Sequence, residues 1–230
     1  MLATLRTRHR EPERMDDPHL DPALHRQALA GLARLNRFSG GAAAVWPSLR
    51  GLASELRRPI CVLDVATGSG DLPAALSVRA NRAKLPMHFE GCDISSTAVE
   101  AARGTGGNFF QHDVLREPLP TGYDAIICSL FMHHLDDAEA IHLLKAMAKA
   151  AGQLVIVNDL SRSRFNYAAV WAACRLLTRS TVAHHDGPVS VRAAFTVREA
   201  QSLAERAGLS GATVRTRFPA RFLLTWRKPA

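Results

Sequence analysis

The stretch Val62-Leu63-Asp64-Val65-Ala66-Thr67-Gly68-Ser69-Gly70-Asp71-Leu72 constrains the fold more than any other part of the chain. It reads as a short apolar strand that ends in an acid, enters a glycine-rich turn and continues as a helix. Gly68 and Gly70 let the backbone turn sharply and leave room for a ligand to lie against it. The helix that follows points free N–H groups at that ligand. A second apolar run, from Met87 to Cys92, is closed by Asp93. An acid about 20 residues beyond a glycine turn is placed to hold the two hydroxyls of a ribose. The expected ligand is therefore a nucleoside.

Charge selects among nucleosides. A dinucleotide site needs G-x-G-x-x-G and a locally positive turn, whereas here Pro73 stands at the third glycine position and Asp64 and Asp71 flank the turn. Two anions would repel a pyrophosphate at low local dielectric. They suit a cationic amino-acid tail carrying a sulfonium, as in S-adenosylmethionine. The spacing Asp64-x-x-x-Gly68-x-Gly70 resembles the first motif of class I S-adenosylmethionine-dependent methyltransferases.

That resemblance implies cofactor-binding roles along the rim. Asp64 would meet the methionine ammonium, with Ala66, Thr67, Gly68, Gly70 and Asp71 forming the turn around it. Asp71 reads equally well as a cap of the following helix. Asp93 would bind the ribose and Ile94 would lie on the adenine face. Asp113, followed by Val114, matches the acid that meets the adenine amino group in this family. Ser129 belongs to the segment after the fourth strand, where substrate chemistry takes place in this fold.

Strands are predicted over 60–65, 87–92, 108–112, 123–130 and 153–158, with helices over 72–82, 95–103 and 137–150. Such alternation predicts an α/β, doubly wound, mostly parallel and Rossmann-like sheet. Its ligand crevice lies beyond the C-terminal ends of the strands, which puts Asp64, Asp93, Asp113, Cys128 and Asn158 on one rim. Strands near 211–217 and 221–226, with Pro219 in the turn between them, resemble the antiparallel C-terminal hairpin of the family and bring the sheet to seven strands.

Helices are also expected from Asp21 to Leu35, with Leu24, Ala28 and Leu32 on one face, and from Ala42 to Arg57. Further on, helices are predicted from Ser163 to Thr178 and from Val197 to Ala207, with a loop from Val182 to Val191 between them. The domain plan is a short disordered arm over 1–20 and a single domain over 21–230. Within it, residues 21–58 form N-terminal helices, 60–160 the cofactor-binding core and 161–195 a lid over the substrate.

At 230 residues and 47% hydrophobic content, the chain can bury a full single-domain core. No run approaches the ~20 apolar residues of a membrane span, and the arginine-rich start lacks the apolar centre of a secretory signal. Cysteines at 61, 92, 128 and 174 form no C-x-x-C pair; three fall inside predicted core strands, a pattern expected of a reducing cytoplasm. The formal charge of +8 is spread among separate arginine clusters, without the aromatic-interleaved stripe of a nucleic-acid binder, so nucleic acid is not expected. An anionic membrane face remains open as a transient contact. Oligomeric state is not legible.

In Cys128-Ser129-Leu130-Phe131-Met132-His133-His134, the two histidines are candidate general bases, His134 ahead of His133. His185, beside His184 in the expected loop, could reach the substrate from above. No metal site is expected, since Asn158-Asp159 only echoes the magnesium ligands of catechol methyltransferases. Asp64 to Leu72 resembles the quinone-biosynthesis C-methyltransferases, and Asn36-Arg37-Phe38-Ser39 looks like their N-terminal region close to the cofactor. Met15 to Asp21, followed by Leu29-x-x-Leu32-x-x-Leu35-Asn36-Arg37, looks similar to bacterial methyltransferases of phenolic polyketides and phenolic lipids. These resemblances imply methyl transfer to a small, apolar phenolic or quinol-like acceptor, on oxygen ahead of carbon. The rival from another class is a cofactor-binding protein without transfer activity.

Overall fold

The computed structural model describes residues 5–16, 19–21, 23–24, 27–28, 31, 34–35 and 40–229. Asn36, Arg37, Phe38 and Ser39 lie outside the described residues, as do Pro22 and Leu32 of the expected first helix. The described residues contain seven strands: β1 (Ile60–Val65), β2 (Met87–Asp93), β3 (Asn108–Gln111), β4 (Tyr123–Ser129), β5 (Ala151–Leu160), β6 (Thr213–Arg217) and β7 (Arg221–Arg227). They form one sheet in the order β3-β2-β1-β4-β5-β7-β6. The pairs along β3-β2-β1-β4-β5 are parallel, and β7 runs antiparallel to both β5 and β6. The strand order reverses between β1 and β4, which opens a crevice at their C-terminal ends.

Helices α1 (Gly41–Leu56), α2 (Asp71–Ala83), α3 (Ser96–Arg103), α4 (Asp137–Ala150), α5 (Arg164–Leu177), α6 (Thr181–Ala193) and α7 (Val197–Arg206) cover the sheet. Successive strand side chains point to opposite faces, and the core splits accordingly. Val62, Ile127 and Ile156 pack with Val45, Leu49 and Leu52 of α1 and Leu76 of α2. Leu63, Ile126, Val155 and Val157 pack with Leu143, Leu144 and Met147 of α4 and Leu203 of α7. With both faces covered, β4 is buried from Asp124 to Cys128, and full burial of each large aliphatic side chain contributes roughly 1.5–3 kcal/mol. Capping boxes at Asp136/Glu139 and Thr196/Glu199 set where α4 and α7 begin.

Two expectations are corrected. The predicted loop from Val182 to Val191 is helix α6, with Pro188 inside it. Asp186-Gly187-Pro188 reads as a turn by local preference, but packing overrides it. A methyl group at Gly187 would collide with Cys174 Sγ and come within 3.2 Å of Val170 Cγ1, so the glycine lets α5 and α6 close on each other. Ser180 starts the helix by accepting the Ala183 N–H at 3.2 Å.

The second correction concerns the arm. Residues 5–16, expected to be disordered, are bound to the body. Arg8 donates to the carbonyls of Ala193, His133 and Leu135 and lies 3.6 Å from the centre of the Phe195 ring. The Arg14 and Met15 N–H groups donate to the two oxygens of buried Asp186 at 2.9 and 3.0 Å. A polar, basic segment carries no hydrophobic signal for ordering. Its order comes from carbonyls and carboxylates distant in sequence.

Ala in place of Gly normally favours a helix by about 1 kcal/mol. Gly187→Ala should instead destabilise the fold by about 1–3 kcal/mol, read as a lower urea midpoint. Adding Cys174→Ala should recover part of the loss.

Candidate active site

Asp64, next to last in β1, is 2% exposed. Its Oδ2 accepts the Thr67 hydroxyl at 2.8 Å, while Oδ1 is buried and has no hydrogen-bond partner among the described residues. Burial pushes this carboxyl up to about 7; the neighbouring Asp93 charge adds to the rise and the Thr67 hydroxyl opposes it. A buried acceptor without a donor costs about 1–3 kcal/mol. A cationic ammonium in the crevice would supply the missing donor and the missing charge, so the residues fit the donor implied by the motif.

The turn is built for close approach. Ala66, Gly68 and Gly70 have φ of 54°, 56° and 76°, and Ala66 adopts the left-handed region without a glycine's freedom. The Gly68 N–H donates to Asp93 Oδ2 at 2.9 Å, and the Ser95 N–H donates to Oδ1 at 2.9 Å. Asp93 is thereby clamped against the turn. Gly70 holds the N-cap position of α2 without a side-chain cap, so Asp71 is the first helical residue and accepts the Ser69 hydroxyl at 3.2 Å.

Ile94, 62% exposed, offers an apolar surface beside Asp93. Asp113 accepts the Leu115 N–H at 3.0 Å and faces Arg116 at 3.5 Å, with Val114 buried beside it.

Across the reversal point, Val65 pairs with Cys128, so the segment after β4 lies beside the turn after β1. Ser129 donates to the Asn158 carbonyl and accepts its side-chain amide at 2.9 Å. Leu130 follows with φ 56°, a second strained non-glycine residue just beyond a central strand. The chain then forms a short 3-10 turn, Met132–His134.

His133 is fixed there between two carboxylates. Its Nδ1 meets Asp159 Oδ1 at 2.7 Å, its N–H donates to Asp159 Oδ2 at 3.0 Å, and its Nε2 stands 3.7 Å from Glu13 Oε1. Burial opposes the charged ring, but Asp159 and Glu13 outweigh it and hold the imidazolium up to about 10. A ring that already carries its proton cannot act as a base near neutrality. Glu13 also accepts the Ser190 hydroxyl, and buried Arg221 adds positive charge beside Asp159.

His134 is half-buried, with its ring 4.3 Å from that of His133 and 6.3 Å from that of Phe131, and its carbonyl accepts from Arg10 at 2.6 Å. Donor atoms of Glu13, His133 and His134 lie within 4.8 Å of one another, close enough for a metal ion. The proton held by His133 competes for that position.

His185 is helical rather than in a loop, and its Nδ1 meets Asp186 Oδ1 at 2.9 Å. With Tyr167, Trp171, Arg175, His184 and Arg192 it lines a hollow of about 440 Å³ between α5 and α6. Sequence reasoning missed Glu13: nothing local marks an acid in an arginine-rich arm as the partner of a histidine 120 positions on. It saw Asp159 only as an echo of a metal ligand.

Raising the folded-state affinity of His133 for its proton stabilises the protein fully below the unfolded value near 6.5, and the gain is lost as pH rises towards about 10. Melting temperature should therefore fall between pH 7 and 10. In Glu13→Gln that fall should begin at lower pH.

Comparison with known proteins agrees with this geometry. Residues 62–154 match the family described as "Methyltransferase domain". Uncharacterized methyltransferases of Mycobacterium tuberculosis and Mycobacterium bovis are 30% identical over 179 residues, covering 74% of this chain and 87% of theirs. The plantazolicin methyltransferase BpumL, solved with a triazolic desmethyl-plantazolicin analogue and S-adenosylhomocysteine, superposes with a TM-score of 0.68 at 14% identity, covering 91% of this chain and 92% of its own. Magnesium protoporphyrin IX methyltransferase from Synechocystis, with bound S-adenosylmethionine, gives a TM-score of 0.53 at 16% identity, covering 94% and 88%. These solved structures share the fold, and the mycobacterial relatives share the family. With the acid-flanked turn at the reversal point of a β3-β2-β1-β4-β5-β7-β6 sheet, the chain belongs to the class I S-adenosylmethionine-dependent methyltransferases.

Proposed function

We propose that this enzyme methylates a small, apolar phenolic or quinol-like acceptor, on oxygen. The observation that carries this reading is the position of His134 on the turn after β4, beside the strand that bears Asp64. A free phenol keeps its proton up to a pH near 10, so oxygen methylation calls for a nearby base that accepts this proton as the oxygen attacks the methyl carbon.

The donor supplies a methyl carbon activated by a positively charged sulfur, which leaves as a neutral thioether. Asp64 Oδ1 would hold the ammonium of its amino-acid tail. Asp93, clamped by Gly68 and Ser95, would present its remaining lone pairs to the ribose hydroxyls, with Ile94 against the adenine and Asp113 at its amino edge. Most of the acceleration comes from alignment, which needs acceptor and methyl carbon within about 3–3.5 Å.

His134 would accept the phenolic proton and pass it to water. His133, wedged between Asp159 and Glu13, acts as a positioning residue that fixes the turn on which His134 stands. Segment 161–195, containing α5 and α6, would cover the acceptor, with His185 and its hollow at the outer edge. Among the described residues no helix is long and apolar enough to cross a membrane.

Incubation with isotopically labelled donor and a panel of phenols and quinols, read by mass spectrometry, tests the acceptor class. Label on carbon, or no transfer to any phenol, would overturn the reading. His134→Ala should lower turnover roughly 10²-fold or more while leaving the dissociation constant for S-adenosylhomocysteine unchanged.

Because Asp64 must ionise to meet a cation, affinity for S-adenosylhomocysteine should be flat above about pH 7 and weaken as pH falls below it. Calorimetry across this range should show that dependence lost in Asp64→Asn, with binding weakened roughly 10- to 100-fold at high pH.

A further inference from the structure

The outer face of α5 is unusual for a protein surface. Phe165, Trp171 and Leu176 are 67%, 46% and 82% exposed on this one helix. Phe165, Ala168, Ala172 and Leu176 follow one another at steps of three and four, so they share a side. Arg164 and Arg175 are exposed along the adjoining row, and exposed Arg179 follows the end of the helix. The opposite side, with Asn166 and Cys174, is buried. Between Asp159 and Asp186 the chain contains no Asp or Glu.

A helix with an apolar stripe bordered by arginines suits the boundary between lipid headgroups and acyl chains. A tryptophan at the edge of the stripe suits the same depth. Charge argues for the occupant. A second copy would set this face against itself across a two-fold axis, opposing arginines to arginines with no carboxylate on α5 to separate them. An anionic lipid surface supplies the missing negative charge, and the overall +8 favours approach to it.

We infer that α5 docks the protein reversibly on an anionic phospholipid bilayer, with Phe165, Trp171 and Leu176 entering the interface and Arg164, Arg175 and Arg179 meeting headgroup phosphates. This surface does not depend on which acceptor is methylated.

Co-sedimentation of the full chain with vesicles tests it. The protein should pellet with phosphatidylcholine vesicles containing phosphatidylglycerol, remain in solution with phosphatidylcholine alone, and be released by high salt. The double variant Phe165→Ser/Leu176→Ser should lose binding with an unchanged melting temperature, since both side chains stand in solvent. Arg164→Ala should weaken binding about fivefold. Failure to pellet with anionic vesicles would overturn the proposal, as would full binding by the double variant. A dimer in ultracentrifugation that the double variant dissolves, without vesicle binding, would assign the face to a second copy and overturn it equally.

Discussion

A carboxylate taken out of water without full compensation governs this structure. Asp64 could satisfy both oxygens on a protein surface; at the end of β1 it satisfies one among the described residues, with the Thr67 hydroxyl. Burying an acid this way is tolerable only where the surrounding fold leaves no alternative. Here β1 lies between β2 and β4 in the middle of the sheet, covered on both faces. The turn that follows is equally over-determined, since Ala66 holds a left-handed conformation while the Thr67 N–H bonds to Cys92 and Gly68 to Asp93. Strain and desolvation coincide at one position because the neighbouring strands fix it.

The other wall of the crevice is made differently. Its ionic centre joins three distant segments: Glu13 from the arm, His133 after β4 and Asp159 in β5. Removing one partner from such a buried set costs far more than the set contributes over an apolar replacement, so its members are bound to one another. The arm is drawn in by this centre and by Asp186, and it closes over α6 and the turn after β4. The two walls therefore obey different physics. One is held by sheet hydrogen bonds along contiguous sequence, the other by charge between remote segments.

That difference explains what was legible beforehand. The strand–turn–helix around Asp64, the acid Asp93 that closes β2 and the parallel core follow from local patterns, namely apolar runs, glycine spacing and an acid at these strand ends. The structure has these elements within two residues of their expected ends, with β5 longer by two at each end. Helix α6 was hidden because Asp186-Gly187-Pro188 is locally a turn, and only the facing Cys174 reveals why a glycine is needed. The ordered arm and the role of Glu13 were hidden because no pattern within a window of ten or twenty residues encodes a contact across more than a hundred. His133 and His134, identical as letters, are separated by burial and by carboxylates that the linear chain does not place.

The reversed direction of β7 carries a practical consequence. Its first residue, Arg221, pairs with Leu160 at the crevice end of β5, and its last, Arg227, pairs with Leu154 near the opposite end. The polypeptide leaving β7 is thus delivered to the floor of the sheet. The Lys228 N–H donates to the Gln153 carbonyl and its ammonium to that of Ala151, so a fluorophore or affinity handle attached beside Lys228 would sit at the end of the sheet opposite the crevice.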